Sequence, residues 1–269
     1  MVRPSHLPKA DRLSVVAATI LLAYGATRFI DLPERSVSVQ LPGLFLEYEL
    51  DVYTFVALLV AGLTATGADQ LLRDHPALGT KRTYEHWLLP ALTAWTLAVT
   101  LYQLPVGAEW LASFAAGGAL LMLVLIAEYI AVDSRDVRFP VATAGLTAVS
   151  FALFLLLVIA MRSAGLRLFF ILPGVSFSYA LVCLRTLHLR LGKWLVMQSI
   201  VLTLIVAQFT AGLHYWPISP IAYGLAVMGP AYALTSLIGA LTEGEPVKKA
   251  LVEPGVVLAV VWGIAVWTS

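Results

Sequence analysis

The sequence predicts an all-α fold, a polytopic transmembrane helix bundle of about nine spans, and three observations carry that prediction. Of 269 residues, 60% are hydrophobic and only 12% are charged, about half the charge of an ordinary soluble domain. Apolar runs of roughly 20 residues recur, the length needed to cross a hydrocarbon core about 30 Å thick. Lys and Arg also alternate between successive loops, as the positive-inside rule requires. The same composition excludes disorder, a nucleic-acid-binding surface and a disulfide scaffold, because the net charge is +1 and Cys183 is the single cysteine.

The apolar runs lie near 12–30, 52–72, 87–106, 109–132, 140–161, 167–187, 194–214 and 218–241. A ninth, 251–268, is short and interrupted by Glu253-Pro254, so eight spans plus a short C-terminal segment is the alternative count. The first run follows Arg12 and is too long for the usual core of a signal peptide, which makes it a retained helix. With the amino terminus cytoplasmic, thirteen of the seventeen Lys and Arg residues fall inside; Arg28, Arg35, Arg162 and Arg167 fall outside. Residues 1–269 read as one integral domain of the plasma (inner) membrane, with the carboxyl terminus outside if all nine runs cross.

The connection 31–51 carries an alternating pattern. A two-residue turn at Pro42-Gly43 pairs Leu41 with Leu44, Val39 with Leu46 and Val37 with Tyr48, and all six share one face. Ser38, Gln40, Glu47 and Glu49 take the other. The expectation is a short extracytoplasmic β-hairpin over 36–50 that covers the outer mouth of the bundle.

Lipid tails provide no hydrophobic force between helices, so close packing relies on small residues. Helix four carries Ala112, Ala115, Ala116, Gly117, Gly118 and Ala119, and helix two carries Gly62, Ala65, Gly67 and Ala68. In helix seven, Ser199, Thr203, Thr210 and His214 fall within about 60° of arc, either a packing seam or a wet cavity edge. Pro173-Gly174 and Gly229-Pro230 interrupt helices six and eight, and each proline frees a carbonyl one turn earlier. Paired breaks resemble the way transporters build binding sites. With their uncharged neighbours they give a candidate ligand set: Pro173, Gly174, Ser176, Ser178, Tyr223, Gly229, Pro230 and Tyr232.

Chemistry-bearing side chains converge at the cytoplasmic rim. Asp69 has Arg73 four residues on, the favoured order for an intrahelical pair. Glu128 has Val124 and Val132 at the equivalent spacings, so it must meet another helix, and His86, Arg185, His188 and Arg73 are the available partners. Glu128, His86, His188 and Asp69 are therefore the candidate catalytic residues. Asp69–Asp74 and Glu128–Asp133 are each five residues apart and do not share a helix face, so no metal site and no cofactor is predicted. Walker, HExxH, GxSxG and CxxC motifs are absent.

Three functions fit these observations. Abundant packing residues and scarce chemistry favour a non-catalytic membrane subunit or scaffold that holds a lipid or apolar ligand, its partners being membrane lipids and other membrane subunits. A transporter for a neutral or amphipathic solute would use broken helices six and eight. An enzyme acting on lipid would place its site at the cytoplasmic rim around Glu128.

Overall fold

The computed structural model describes residues 8, 10–29, 35–41, 44–50, 52–79 and 82–269, and of 26–29, 35–41, 44–50 and 52–55 the backbone alone. The Pro42-Gly43 turn and the cations Arg3, Lys9 and Lys81 lie outside the described residues. The helices are α1 (Ala10–Phe29), α2 (Val52–Leu72), α3 (Leu88–Gln103), α4 (Ala108–Ala131) and α5 (Phe139–Ser163), then α6 (Leu168–Leu191), α7 (Val196–His214), α8 (Pro220–Thr242), α9 (Val247–Ala250) and α10 (Val252–Trp267). A single 3-10 turn, Tyr84–His86, precedes α3.

Six of these segments are long and apolar enough to cross a membrane: α4 through α8, and the unit Val247–Trp267 formed by α9 and α10. Val56–Leu72 is a shorter apolar helix. Between α1 and α2, the backbones of Arg35–Leu41 (β1) and Leu44–Leu50 (β2) pair antiparallel, with Val37 opposite Tyr48 and Val39 opposite Leu46.

Two apolar clusters make the core. One joins α1 and α2 to one side of α3 and α4, through Ile20, Leu72, Ala94, Leu121 and Leu125. The other gathers α5 through α8 around Phe154, Tyr179, Val206 and Tyr223, with Leu89, Leu92 and Val124 of α3 and α4 facing it. Helices α3 and α4 are thus shared by both halves. Small residues let them approach: a Cβ added to Gly117 of α4 would fall 2.2 Å from Leu97 Cδ2 of α3, and one on Gly67 of α2 would fall 2.7 Å from Val16 Cγ1 of α1.

The helix-seven stripe is a packing seam, since Ser199, Thr210 and His214 are buried and the Thr210 carbonyl accepts a hydrogen bond from Tyr223 of α8 at 3.0 Å. Helices α6 and α8 run through Pro173 and Pro230 without interruption. Pro173 lies only six residues into α6 and is exposed. At Pro230 the missing N–H leaves the carbonyl of Ala226 without its helical donor. Trp262 of α10 supplies the replacement, its indole N–H donating to Ala226 O at 3.2 Å, while Gly229 admits the same ring: an added Cβ would lie 3.1 Å from Trp262 Cδ1. α10 is otherwise peripheral, with 17% of its apolar window buried against 50% for α8. Glu253 and Pro254 sit in its first turn, where a proline needs no donor and a carboxylate meets the positive end of the helix dipole.

Removing the indole donor by W262F should cost about 1 kcal/mol of thermal stability, because a carbonyl on an apolar surface loses its partner. P230A restores the helical N–H, so in the P230A/W262F double variant the cost of W262F should shrink to the packing part alone. Additive effects in a double-mutant cycle read by detergent melting would contradict the link.

Candidate functional site at the charged rim

The 3-10 turn sets Glu85 and His86 side by side at the start of α3, and both turn towards the C-terminal ends of α4 and α6. Glu128 of α4 and Arg185 of α6 are each 1% exposed. Arg185 Nε donates to Glu128 Oε1 at 3.1 Å, and its Nη2 closes the second arm of the fork on Oε2. That oxygen also accepts from His86 Nδ1 at 2.7 Å. On its other side His86 Nε2 lies 3.4 Å from Glu85 Oε1, and Glu85 Oε2 accepts from His188 Nε2 at 2.9 Å. Arg185, Glu128, His86, Glu85 and His188 thus form one chain of alternating donors and acceptors.

Local structure holds the outer end of this chain. α6 stops at Gly192, whose φ of 65° is the left-handed conformation that favours glycine, and the Gly192 N–H donates to His188 O at 2.8 Å. The reversal brings Trp194 back onto the His188 ring, stacked at 4.4 Å, with Tyr84 on the indole at 5.6 Å.

Both ring nitrogens of His86 face carboxylates, an arrangement that suits the imidazolium, while Nδ1 also lies 3.2 Å from the Arg185 Nη2 donor, which opposes it. Burial opposes the charge, but the hydrogen bonds to Glu128 and Glu85 outweigh it and raise the His86 pKa above its usual 6.5. Glu85 is held well below the usual carboxylate range, chiefly by its bonds to His188 and His86.

Sequence reasoning brings Glu128, His86 and His188 to one place, and the structure does so too, with Arg185 among the partners named for Glu128. Asp69 stands apart: Arg73 Nε reaches its Oδ2 at 2.7 Å and the Thr83 hydroxyl donates to Oδ1. The remaining rim groups have local tasks. Asp74 pairs with Arg12 at 2.6 Å, His75 packs edge-on against Tyr129, and Asp133 and Asp136 accept the N–H groups of Arg135 and Arg138. Glu85 is the member that sequence reasoning missed. Its signal was its place beside His86, ahead of an apolar run, which puts two oppositely charged groups at one helix start.

Among the described residues, cavities of about 470 to 760 Å3 lie around the bundle, and neither Glu128 nor His86 lines any of these four. Nor does Pro173 or Pro230. The candidate ligand set is dispersed: Gly174 faces Met161, Ser178 bonds back to Val175 O at 3.0 Å, and Tyr223 is buried against Thr210. Gly229 backs onto α10 and Ser176 is half-buried. Of the eight, Tyr232 alone lines one of these four cavities, the one bounded by α5, α6, α8 and α10. Among the described residues no group of three or more His, Cys, Asp or Glu could hold a metal ion.

Apolar helices long enough to span, joined through a buried ion-pair chain, define a helical membrane protein. Residues 32–268 match the family described as "Protein of unknown function (DUF5656)", and the chain belongs to that family. No curated protein and no solved structure matches it.

Two outcomes test the network. E128Q leaves Arg185 without its buried counter-charge and should lower unfolding stability by about 3 kcal/mol, read as a reduced melting temperature in detergent. The pH dependence follows from sign. His86 gains affinity for its proton on folding, so its contribution is complete below about pH 6.5 and is lost as pH rises through its folded pKa. Glu85 behaves oppositely, contributing above about pH 4.5 and losing that contribution as pH falls towards its folded pKa. Melting temperature should therefore fall as pH rises from 6.5 towards 9, and H86Q should flatten that limb.

Proposed function

We propose that this protein is a non-catalytic membrane subunit or scaffold that holds a lipid or apolar ligand within its bundle. The observation that carries this reading is the closure of the ion-pair chain at the rim. Its central members are buried, both Glu128 oxygens accept hydrogen bonds, and neither Glu128 nor His86 lines any of the four cavities described around the bundle. A lipid-modifying enzyme needs Glu128 and His86 to face a pocket at the headgroups. A transporter working through α6 and α8 needs a cavity at Pro173 and Pro230. In the scaffold reading the network is a clamp that joins α3, α4 and α6.

The finer arrangement belongs to the same proposal. All nine apolar runs cross. The amino terminus and the rim carrying Arg73, Arg185 and Lys193 face the cytoplasm, the membrane is the plasma (inner) membrane, and the carboxyl terminus is outside. The hairpin of β1 and β2 lies over the outer mouth of the bundle.

A buried ion-pair cluster can be exchanged for apolar side chains of similar volume without loss of stability, whereas catalytic groups cannot be exchanged without loss of turnover. The variant H86L/E128M/R185M should therefore fold and should restore growth or membrane phenotype to cells lacking the gene. A variant that is folded and abundant yet fails to restore the phenotype would overturn the scaffold reading in favour of the enzyme.

A further inference from the structure

The cavity bounded by α5, α6, α8 and α10 has a volume of about 480 Å3, within the range of small-molecule and lipid-headgroup sites. The threonines of its lining share one property: their hydroxyl protons are spent. Thr143 and Thr147 donate back to Phe139 O and Thr143 O, both at 2.9 Å. Thr186 and Thr235 donate to Val182 O and Ala231 O, both at 2.8 Å. Each keeps oxygen lone pairs but has no proton left to offer.

Glu253 supplies the cavity's charge. Tyr232 OH donates to its Oε1 at 2.6 Å and Ser236 Oγ to its Oε2 at 3.0 Å. Two hydroxyls orient the carboxylate but bring no positive charge to it. The nearest cation in the lining, Arg190, is occupied by Glu243 through Nε at 2.9 Å and Nη2 at 2.6 Å, and Lys249 reaches Glu245. Among the described residues no cation lies within ion-pairing distance of Glu253. The result is a cleft in an apolar bundle with acceptor hydroxyls and one carboxylate that has no direct ion-pair partner among the described residues, Arg190 being held on Glu243 and on Ser236 O at 3.4 Å. The walls Ala144, Ala148, Phe151 and Leu187 are apolar.

We infer that this cavity binds an amphiphile headed by a protonated primary amine, its ammonium on Glu253 and its chain along α5. The ammonium donates three hydrogen bonds and accepts none, the complement of this lining. A phosphate or carboxylate head would meet the like charge of Glu253, and Arg190 in the lining is already engaged by Glu243. The inference deepens the ligand-holding part of the scaffold reading, and it survives if the ion-pair chain turns out to be catalytic. The amine is borne either by a two-chain phospholipid such as phosphatidylethanolamine or by a single-chain amine.

The test uses the purified full-length protein and native mass spectrometry with four probes. These are dioleoylphosphatidylethanolamine, its N-acetylated derivative, dodecylamine and N-dodecylacetamide. For at least one of the two pairs the wild type should bind the amine about tenfold more tightly than the acetylated partner, the size of one charge-assisted bond. Preference within the phospholipid pair alone identifies the lipid as the source, and preference within the dodecyl pair identifies a single-chain amine. E253Q should abolish the preference while binding of the acetylated probes stays the same. Equal binding within both pairs by the wild type would overturn the inference whatever E253Q does, and so would a preference that persists in folded E253Q.

Discussion

A carboxylate inside an apolar bundle must be neutralised, and the position of Glu128 imposes that requirement on three separate parts of the chain. Burying it without a partner would cost several kcal/mol. Satisfying it requires Arg185 of α6, whose guanidinium is itself buried, and His86 ahead of α3. Once those three are in place the rest of the rim follows. Glu85 compensates His86, His188 completes Glu85, and the Gly192 reversal returns Trp194 to cover His188. Each group is explained by the charge it inherits from the previous one. Both core clusters meet at α3 and α4, so the clamp also fixes how the two halves of the bundle sit against each other.

A second constraint operates through backbone polarity. In lipid every carbonyl must find a donor within the protein, and Pro230 cannot serve Ala226. Trp262 answers that need and gives the peripheral α10 a directional attachment that its small buried surface does not provide. The proline that reads in isolation as a break is a docking point. Hydroxyls follow the same rule: the threonines of α5, α6 and α8 turn their protons onto their own helices, which lets them lie in apolar surroundings and leaves their oxygens as bare acceptors.

The part of this architecture legible in the sequence is the part governed by one-dimensional physics. Composition and run length disclose apolar helices. Helical spacing shows that Glu128 has no partner on α4 while Asp69 has Arg73, and the structure bears out both. Alternation over 36–50 sets Val37 opposite Tyr48 in the hairpin that the proposed arrangement carries. The failures share a different cause. Residues gathered around Pro173 and Pro230 were joined by analogy of depth and chemistry, yet Pro173 is exposed near the start of α6 and Pro230 is buried under α10. Whether two prolines share a cavity depends on azimuth about each helix axis, which composition does not encode. Glu85 and Glu253 were passed over because a charge near a helix start looks like ordinary capping until its three-dimensional neighbours are known.

The shortness of α3 carries a consequence for biogenesis. Its 16 residues rise about 24 Å, less than the hydrocarbon thickness of a typical bilayer. It also carries Thr93, Thr96 and Thr100, and Gln103 near its end is bound to Ala160 O of α5 at 2.8 Å. A helix of that length depends on its neighbours for the polar groups at its end, and the bond from Gln103 to α5 supplies one such partner across the bundle. Membrane insertion of α3 is thereby coupled to a helix made after it.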